Sequence, residues 1–284
     1  MCNLNPISYN PYSNHYYTGQ SYADYGRSPY YQGGNGYYGS YTNDDYQPED
    51  SKTTKTLGLA ALLQAIAIGI QKGSNLLSAR LAAGKEFASS ADVNAVANEM
   101  VKKNKLNVHV GYIDDFNKHL YASRYGMAKE FDTIARGQNA FYADKLKIAV
   151  APKSKPSLIL HELGHAINAK GKFTKMLQNS RRFAGYAPMT LLLANSFFKK
   201  NDNQPTFIEK NAGVLGFCAF LPTIIEEGLA SFRGVNAAKK VLNNPATLNI
   251  LKKNYAVALG TYILAGLGLG VACKQSIVES TLNS

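Results

Sequence analysis

Two histidines and a glutamate in residues 158–167 have a spacing that suits metal chemistry. The segment reads Leu-Ile-Leu-His-Glu-Leu-Gly-His-Ala-Ile, so His161 and His165 are four residues apart and Glu162 follows the first. Residues four apart on an α-helix project from one face, about one turn apart. Two imidazoles placed in this way can bind one Zn²⁺, and the intervening glutamate can take a proton from a water molecule on the metal.

A zinc centre that hydrolyses a substrate needs a third protein ligand and one open position for water. Glu226 and Glu227 are candidates, because they follow directly after the uncharged run of residues 211–225. Burying a carboxylate is costly unless it has a partner, and a Zn²⁺ held by two neutral histidines is such a partner. The alternative is that both are surface carboxylates at a helix start. The histidine pair favours the ligand interpretation and leaves the choice between the two glutamates open.

Short strands and a helix are predicted before this metal-binding segment. Residues 91–104 have apolar side chains at helical spacing, with Ser89 or Ser90 as the cap, and residues 108–112 alternate as in a strand. Residues 139–151 predict two further strands joined at Asp144 and Lys145, with Leu146, Ile148 and Val150 on one face of the second.

The metal-binding helix itself is predicted to begin after Pro152 and Pro156 and to run to Gly171. A strand directly before it has two interpretations. An exposed strand edge can hold an extended peptide next to the metal by strand addition. Alternatively, the strand only packs against the helix.

Uncharged runs elsewhere in the chain indicate association with a membrane. Residues 183–198 and 211–225 flank a polar stretch and predict a hydrophobic helical hairpin over residues 183–225, with arms of 15–16 residues. Residues 254–273 form a 20-residue uncharged run, which is long enough for a transmembrane helix. The run at residues 56–71 would span only about 24 Å as a helix, so it suits an interfacial or buried helix as readily as a spanning one.

The first fifty residues differ from the rest in composition. They contain 12 of the 19 tyrosines and few aliphatic residues. Such a segment cannot bury enough apolar surface to offset the entropy lost on ordering. We therefore expect residues 1–50 to be a disordered Tyr/Asn/Gly-rich tail, either simply solvated or able to associate with a partner.

The net charge of +12 is concentrated in the remainder of the chain. Residues 1–50 carry one basic and five acidic side chains, which leaves a net charge of +16 on residues 51–284. A basic body fits nucleic-acid binding or Lys and Arg flanking membrane segments. Because the sequence shows no nucleic-acid-binding motif, we expect a membrane rather than a nucleic acid as the partner. The three cysteines show no paired spacing, which argues against a disulfide framework.

The order of these features resembles that of a known family. Asn139-Ala140-Phe141 precedes the His-Glu-x-x-His helix, the hairpin follows, and Glu227-Gly228-Leu229-Ala230-Ser231 comes next, with Gly234 where a small residue is common. Over about residues 90–240 this is similar to the HtpX-like and CAAX-prenyl-protease-like superfamily of gluzincin zinc metallopeptidases. The resemblance implies an α+β, mostly α-helical fold with a zincin-like catalytic core, meaning a short sheet plus the zinc helix, and a hydrophobic hairpin.

The resemblance also selects Glu227 as the third zinc ligand, with Glu226 as the second choice. One position departs from the family pattern, because Ser231 stands where the family usually has an aspartate that orients a ligating histidine. Loss of such a partner can lower metal affinity or activity about 10–100-fold. Either another carboxylate, such as Glu226, takes this role, or the site is weak.

These observations predict four regions: a disordered tail (1–50), an apolar helical segment (51–85), a zincin-like metallopeptidase domain with its hairpin (86–240), and a C-terminal hydrophobic helix (241–284). The expected function is that of a membrane-associated zinc metalloendopeptidase acting on a protein or peptide substrate. His161, His165 and Glu227 would bind Zn²⁺, and Glu162 would be the catalytic base. The alternative is a membrane-bound adaptor or scaffold with an inactive or structural zinc site.

Overall fold

A computed structural model describes residues 51–84, 86, 88–199 and 204–282. These residues are mostly helical, with one small sheet, as the sequence predicts for an α+β, mainly helical chain. The tail predicted for residues 1–50 lies outside the described residues.

In the part of the chain that the structure describes, the strands lie between His109 and Pro152 and only helices follow them. The helices are α1 (Ser51–Ala83), α2 (Ser90–Lys103), α3 (Lys118–Tyr125), α4 (Ala128–Ala135), α5 (Leu158–Asn168), α6 (Lys172–Ser180), a 3₁₀ helix (Arg181–Tyr186), α7 (Ala187–Phe198), α8 (Phe207–Val241) and α9 (Pro245–Leu282). The strands are β1 (His109–Ile113), β2 (Phe141–Ala143) and β3 (Ile148–Pro152).

Contacts within the chain group the described residues into two compact units. One unit contains Leu81–Met176 and Glu226–Ala256, and it holds the sheet and all the predicted metal-site residues. The other contains residues 51–80, Leu177–Ile225 and residues 257–282.

The sheet of the first unit has the strand order β1-β3-β2. β1 pairs with β3 in parallel, from His109 opposite Ile148 to Ile113 opposite Pro152, and β2 pairs with β3 antiparallel. β3 is the central strand and is buried along its whole length. The strands predicted on either side of the Asp144 turn are therefore present.

Helices cover both faces of this sheet. Ile148 and Val150 point to the face where Phe131 of α4 packs, with Leu146 at its margin, as the alternation of the sequence predicts. Ala149 and Ala151 point to the other face, which packs with α2 and α5. Small side chains on that face let α5 lie close to the sheet.

Hydrogen bonds fix the first residues of α2 and α5. The Ser89 hydroxyl accepts a hydrogen bond from the Asp92 amide at 3.1 Å and caps α2, as predicted. At the start of α5, the Ser157 amide donates to Glu86 Oε2, and the Tyr255 hydroxyl donates to the Ser157 carbonyl, both at 3.0 Å. Three separate parts of the chain thus meet at the residue that precedes α5.

Helix α5 ends earlier than the sequence indicates. Its last residue is Asn168, three residues before the predicted stop at Gly171. The Lys170 amide donates to the Ile167 carbonyl and the Gly171 amide to the Asn168 carbonyl. These i→i+3 bonds tighten the final turn and end the α-helical pattern.

Helix α8 crosses α5 at very short range within the first unit. A Cβ added to Gly164 of α5 would overlap the backbone of Ala230, and one added to Gly234 of α8 would lie 3.0 Å from the Leu160 carbonyl oxygen. Glycine at these two positions therefore lets the backbones approach closely enough for side chains on α8 to reach the histidines.

The second unit contains the predicted hairpin. Ile208 and Ala212 of α8 pack with Ile277 of α9, and α7 side chains pack against this cluster. Asn195 Nδ2 of α7 donates a hydrogen bond to Glu209 Oε1 of α8 at 3.1 Å. These contacts hold α7 against the first part of α8.

Residues 183–225 form two unequal arms. α7 has 12 residues, a length of about 18 Å that is well short of the roughly 30 Å hydrocarbon core. The second arm does not end at residue 225, because α8 continues for 35 residues to Val241 and includes Glu226 and Glu227. The second hairpin arm and the helix that carries the predicted third ligand are one element.

Among the described residues, three helical stretches are long and apolar enough to cross a membrane: Leu57–Leu81, Phe207–Val241 and Pro245–Thr281. The runs at residues 56–71 and 254–273 are parts of two of these longer helices. The chain is a membrane protein, as its uncharged runs predict.

Candidate metal centre

The two histidines of α5 point to a common position. Their Nε2 atoms lie 3.0 Å apart, and their rings are nearly perpendicular, at 86° with centroids 4.5 Å apart. Both residues lie on the same helical face, since one turn of the helix separates them. His165 is fully buried, and the His161 side chain is 12% exposed.

Glu227 of α8 supplies the third atom of this cluster. Its Oε2 lies 3.0 Å from His161 Nε2 and 3.6 Å from His165 Nε2. Ligand atoms at 2.0–2.1 Å from a tetrahedral Zn²⁺ are separated from one another by about 3.3 Å, so this triangle has the size of one face of such a site. The structure thus brings together His161, His165 and Glu227, and this group can hold a metal ion.

The other ring nitrogens face oxygen atoms of α8. His165 Nδ1 lies 2.8 Å from Glu226 Oε1, and His161 Nδ1 lies 3.1 Å from Ser231 Oγ. An Nδ1–H that donates to these oxygens leaves the lone pair of each Nε2 directed at the common position. Glu226 therefore occupies the place of a carboxylate that orients a ligating histidine, and Ser231 provides a weaker, uncharged acceptor for the other.

Asn168 completes the surroundings of Glu226. Its side-chain Nδ2 donates to Glu226 Oε1 at 2.9 Å and to the Glu226 carbonyl at 3.2 Å. Asn168 lies on the same face of α5 as His161 and His165, seven residues after the first histidine. Asn168 is not among the residues predicted from the sequence, although its position on the same helical face as the two histidines was a usable signal.

Glu162 lies beside the histidine pair with one oxygen unused. The residue is 1% exposed, and its Oε2 has no hydrogen-bond partner among the described residues. Burial raises the pKa of Glu162 to about 7, although the nearby His165 and His161 oppose this shift. A buried carboxylate without a partner for one oxygen is unusual and indicates a position kept for a polar ligand.

The electrostatics of the site favour positive charge. Burial alone lowers the pKa of His165, but the carboxylates of Glu226 and Glu227 outweigh it and raise that pKa to about 10. The two carboxylates thus create a negative potential at the buried imidazole. A divalent cation at the common position would meet the same potential.

Tyr255 of α9 also contacts the site, and no sequence signal marked it. Its ring lies 5.6 Å from the His161 ring, edge to face, while its hydroxyl holds the Ser157 carbonyl. It stands at the start of the apolar run of residues 254–273, where a tyrosine is unremarkable. Only tertiary packing brings Tyr255 next to His161 and Ser157.

Two other histidines are not brought to the site. His109 is the first residue of β1, and the centre of its ring lies 6.1 Å from that of the Tyr121 ring. Neither His109 nor His119 belongs to the metal-binding group of the described residues.

Comparison of the chain with protein-family models, with curated proteins and with solved structures gives no match. The resemblance to HtpX-like and CAAX-prenyl-protease-like peptidases remains a prediction from the residues quoted for it.

Proposed function

We propose that the chain is a membrane-bound zinc metalloendopeptidase. The observation that carries this proposal is the triangle of His161 Nε2, His165 Nε2 and Glu227 Oε2, with the unpartnered Oε2 of Glu162 beside it. Two imidazoles and one carboxylate form a donor set that suits Zn²⁺ and leaves a fourth tetrahedral position for water.

Each residue has a definite task in this proposal. A zinc ion, when bound, supplies Lewis-acid activation of water and of a peptide carbonyl. His161, His165 and Glu227 hold it, while Glu226 and Ser231 fix the orientation of the two rings. Glu162 accepts the proton of the attacking water on Oε2 and then delivers it to the leaving amine.

The strand before α5 favours the second of its two interpretations. It is β3, which is the central strand and is buried between β1 and β2, so it has no exposed edge. β2 (Phe141–Ala143) stands at an edge of the sheet and contacts α5, but all three of its residues are buried. A peptide as the substrate is therefore proposed from the donor set and from Glu162, and strand addition is not part of the proposal.

One observation favours the alternative of a structural metal site in a membrane adaptor. The ligands are deeply enclosed, with His165 fully buried and Glu227 1% exposed, and closed sites are typical of structural zinc. Ser231 in place of an acidic residue points in the same direction, since it weakens the support of His161.

The decisive experiment compares the wild-type chain with Glu162→Gln, using full-length protein in detergent. We expect one zinc per chain in both proteins. Hydrolysis of an unstructured protein substrate should fall about 10²–10⁴-fold in the variant, because the proton acceptor is lost. Glu279→Gln, at an exposed position of α9, is the control and should keep full activity.

Other results would contradict the proposal in distinct ways. Stoichiometric zinc without hydrolysis by the wild-type chain supports the adaptor. Equal activity of wild type and Glu162→Gln rejects the assigned base. A chain that binds no zinc rejects both the peptidase and the structural zinc site, and leaves an adaptor with an inactive site.

A further inference from the structure

A pocket of about 160 Å³ lies in the first unit, and none of its lining residues is a candidate metal ligand. It is formed where the last turn of α2 meets the last turns of α8. Its polar lining comprises three cations, two carboxamides and one carboxylate: Lys103, Arg233, Lys240, Asn104, Asn236 and Glu99. The excess of cations makes the pocket electropositive.

Two of these cations come from different helices. Lys103 at the end of α2 and Lys240 at the end of α8 line the same pocket, and with Arg233 they outnumber its one carboxylate, Glu99. Like charges brought to one pocket repel, and a bound anion would offset the positive charge that Glu99 leaves unbalanced. Arg233, half-buried two turns before Lys240, adds a planar group of donors that matches a phosphate or carboxylate.

Lysines at helix ends have an ordinary explanation, which accounts for only part of this cluster. Positive side chains in the last turn interact favourably with the C-terminal end of a helix. This explains Lys102 and Lys239 equally well, since both also stand in the last turns of α2 and α8. It does not explain why Lys103 and Lys240 line one pocket together with Arg233.

The surroundings add to the positive potential. The side-chain amine of Lys170 donates hydrogen bonds to the backbone carbonyls of Asn104 and Lys105, just after α2. The segment Phe207–Val241, which is long and apolar enough to cross a membrane, ends at this point. Basic side chains at the end of a membrane helix meet lipid headgroups.

We propose that this pocket binds a phosphate-bearing anion, through the guanidinium of Arg233, the ammonium groups of Lys103 and Lys240, and the amides of Asn104 and Asn236. The anion is either free phosphate or the headgroup of an anionic phospholipid, since both present the same oxygens. None of its lining residues belongs to the metal-binding group, and Arg233 also interacts electrostatically with Glu226.

The test uses a double variant with a matched control. Lys103→Gln with Lys240→Gln removes two charges from the pocket, whereas Lys102→Gln with Lys239→Gln removes two charges from the same two helix turns outside the pocket. All four side chains are exposed, so folding should be unaffected. Each full-length protein, in uncharged detergent, is titrated calorimetrically with inorganic phosphate, dioctanoyl phosphatidic acid and zwitterionic dioctanoyl phosphatidylcholine.

We expect saturable binding of an anionic probe by the wild-type chain. The dissociation constant should rise about tenfold or more in the pocket variant, because charge-assisted hydrogen bonds are lost, and less than about twofold in the control. Binding of inorganic phosphate identifies the free anion, and binding of phosphatidic acid alone identifies a lipid headgroup. Equal weakening in both double variants, or no saturable binding of either anionic probe, overturns the proposal.

Discussion

At the scale of single residues, the adjacent carboxylates Glu226 and Glu227 have different positions in the site. Neighbouring residues on a helix point about 100° apart, so the two side chains leave α8 in different directions. Glu227 reaches the Nε2 atoms of both histidines, and Glu226 reaches only Nδ1 of His165. The pair therefore provides one candidate ligand and one group that orients a ligand.

Glu226→Ala should weaken zinc binding without abolishing it. The change leaves His165 Nδ1 and the Asn168 amide without their buried acceptor, and we expect the zinc dissociation constant to rise about 10–100-fold. Ser231→Ala should have a smaller effect, because a neutral hydroxyl is a weaker acceptor than a carboxylate. Competition with a chromophoric chelator measures both affinities.

Glu227→Ala provides the comparison for this prediction. Removing the third atom of the triangle should eliminate stoichiometric zinc binding. If Glu226→Ala eliminates it and Glu227→Ala does not, the roles assigned to the two carboxylates are reversed.

At the scale of helices, the site depends on how closely α5 and α8 approach each other. Gly164→Ala should push the helices apart, because its methyl group would overlap the rigid backbone of Ala230. We expect a lower melting temperature and weaker zinc binding, although no ligand is changed. Overpacking of this kind typically lowers the free energy of unfolding by about 1–3 kcal/mol.

The control for Gly164→Ala is Gly58→Ala in α1. A Cβ at Gly58 would meet no atom within 4 Å, and alanine has the better helix propensity. This variant should melt no lower than the wild-type chain and bind zinc normally. Normal zinc binding by Gly164→Ala would show that the close crossing is not needed for the site.

The sequence predicts these elements well where the signal is local. The four-residue spacing of His161 and His165, the Ser89 cap and the alternation around Ile148 all depend on near neighbours. It does not predict the end of α5 or the continuity of α8 through Ile225. Local i→i+3 hydrogen bonds end α5 before Gly171, and α8 continues without a break through the change from apolar to charged residues.

The same distinction applies to the candidate site. The three residues of the metal-binding group follow from spacing and from the family resemblance, and the structure brings them together. The choice between Glu226 and Glu227 depends on the rotation of α8 about its axis, which only packing against α5 determines. The contact of Tyr255 with His161 joins residues 94 positions apart and has no local signature.

At the scale of the whole molecule, a bound metal would link distant parts of the chain. The group joins His161 to Glu227, 66 residues further on. Because an unfolded chain cannot keep these atoms together, zinc should bind mainly the folded state. When free zinc is present at about 1,000 times its dissociation constant, its binding raises the free energy of unfolding by about 4.1 kcal/mol.

Removal of zinc should therefore lower the melting temperature of the wild-type protein in detergent. Scanning fluorimetry or calorimetry with and without a strong chelator measures this shift. Glu227→Ala is the control, since a chain that holds no zinc should melt at the same temperature in both conditions. An unchanged wild-type transition would mean that the metal does not contribute to folding.

The hydrogen bond from the Ser157 amide to Glu86 ties α5 to a residue that precedes α2 in the chain. It therefore bears on how short a fragment can be and still fold. A fragment that starts at Ser90 would keep the His-Glu-x-x-His segment, all three candidate ligands and the whole sheet. It would nevertheless lack the carboxylate that anchors the residue in front of α5. The minimal folded region should therefore extend upstream to include Glu86, beyond what the metal-binding residues alone would indicate.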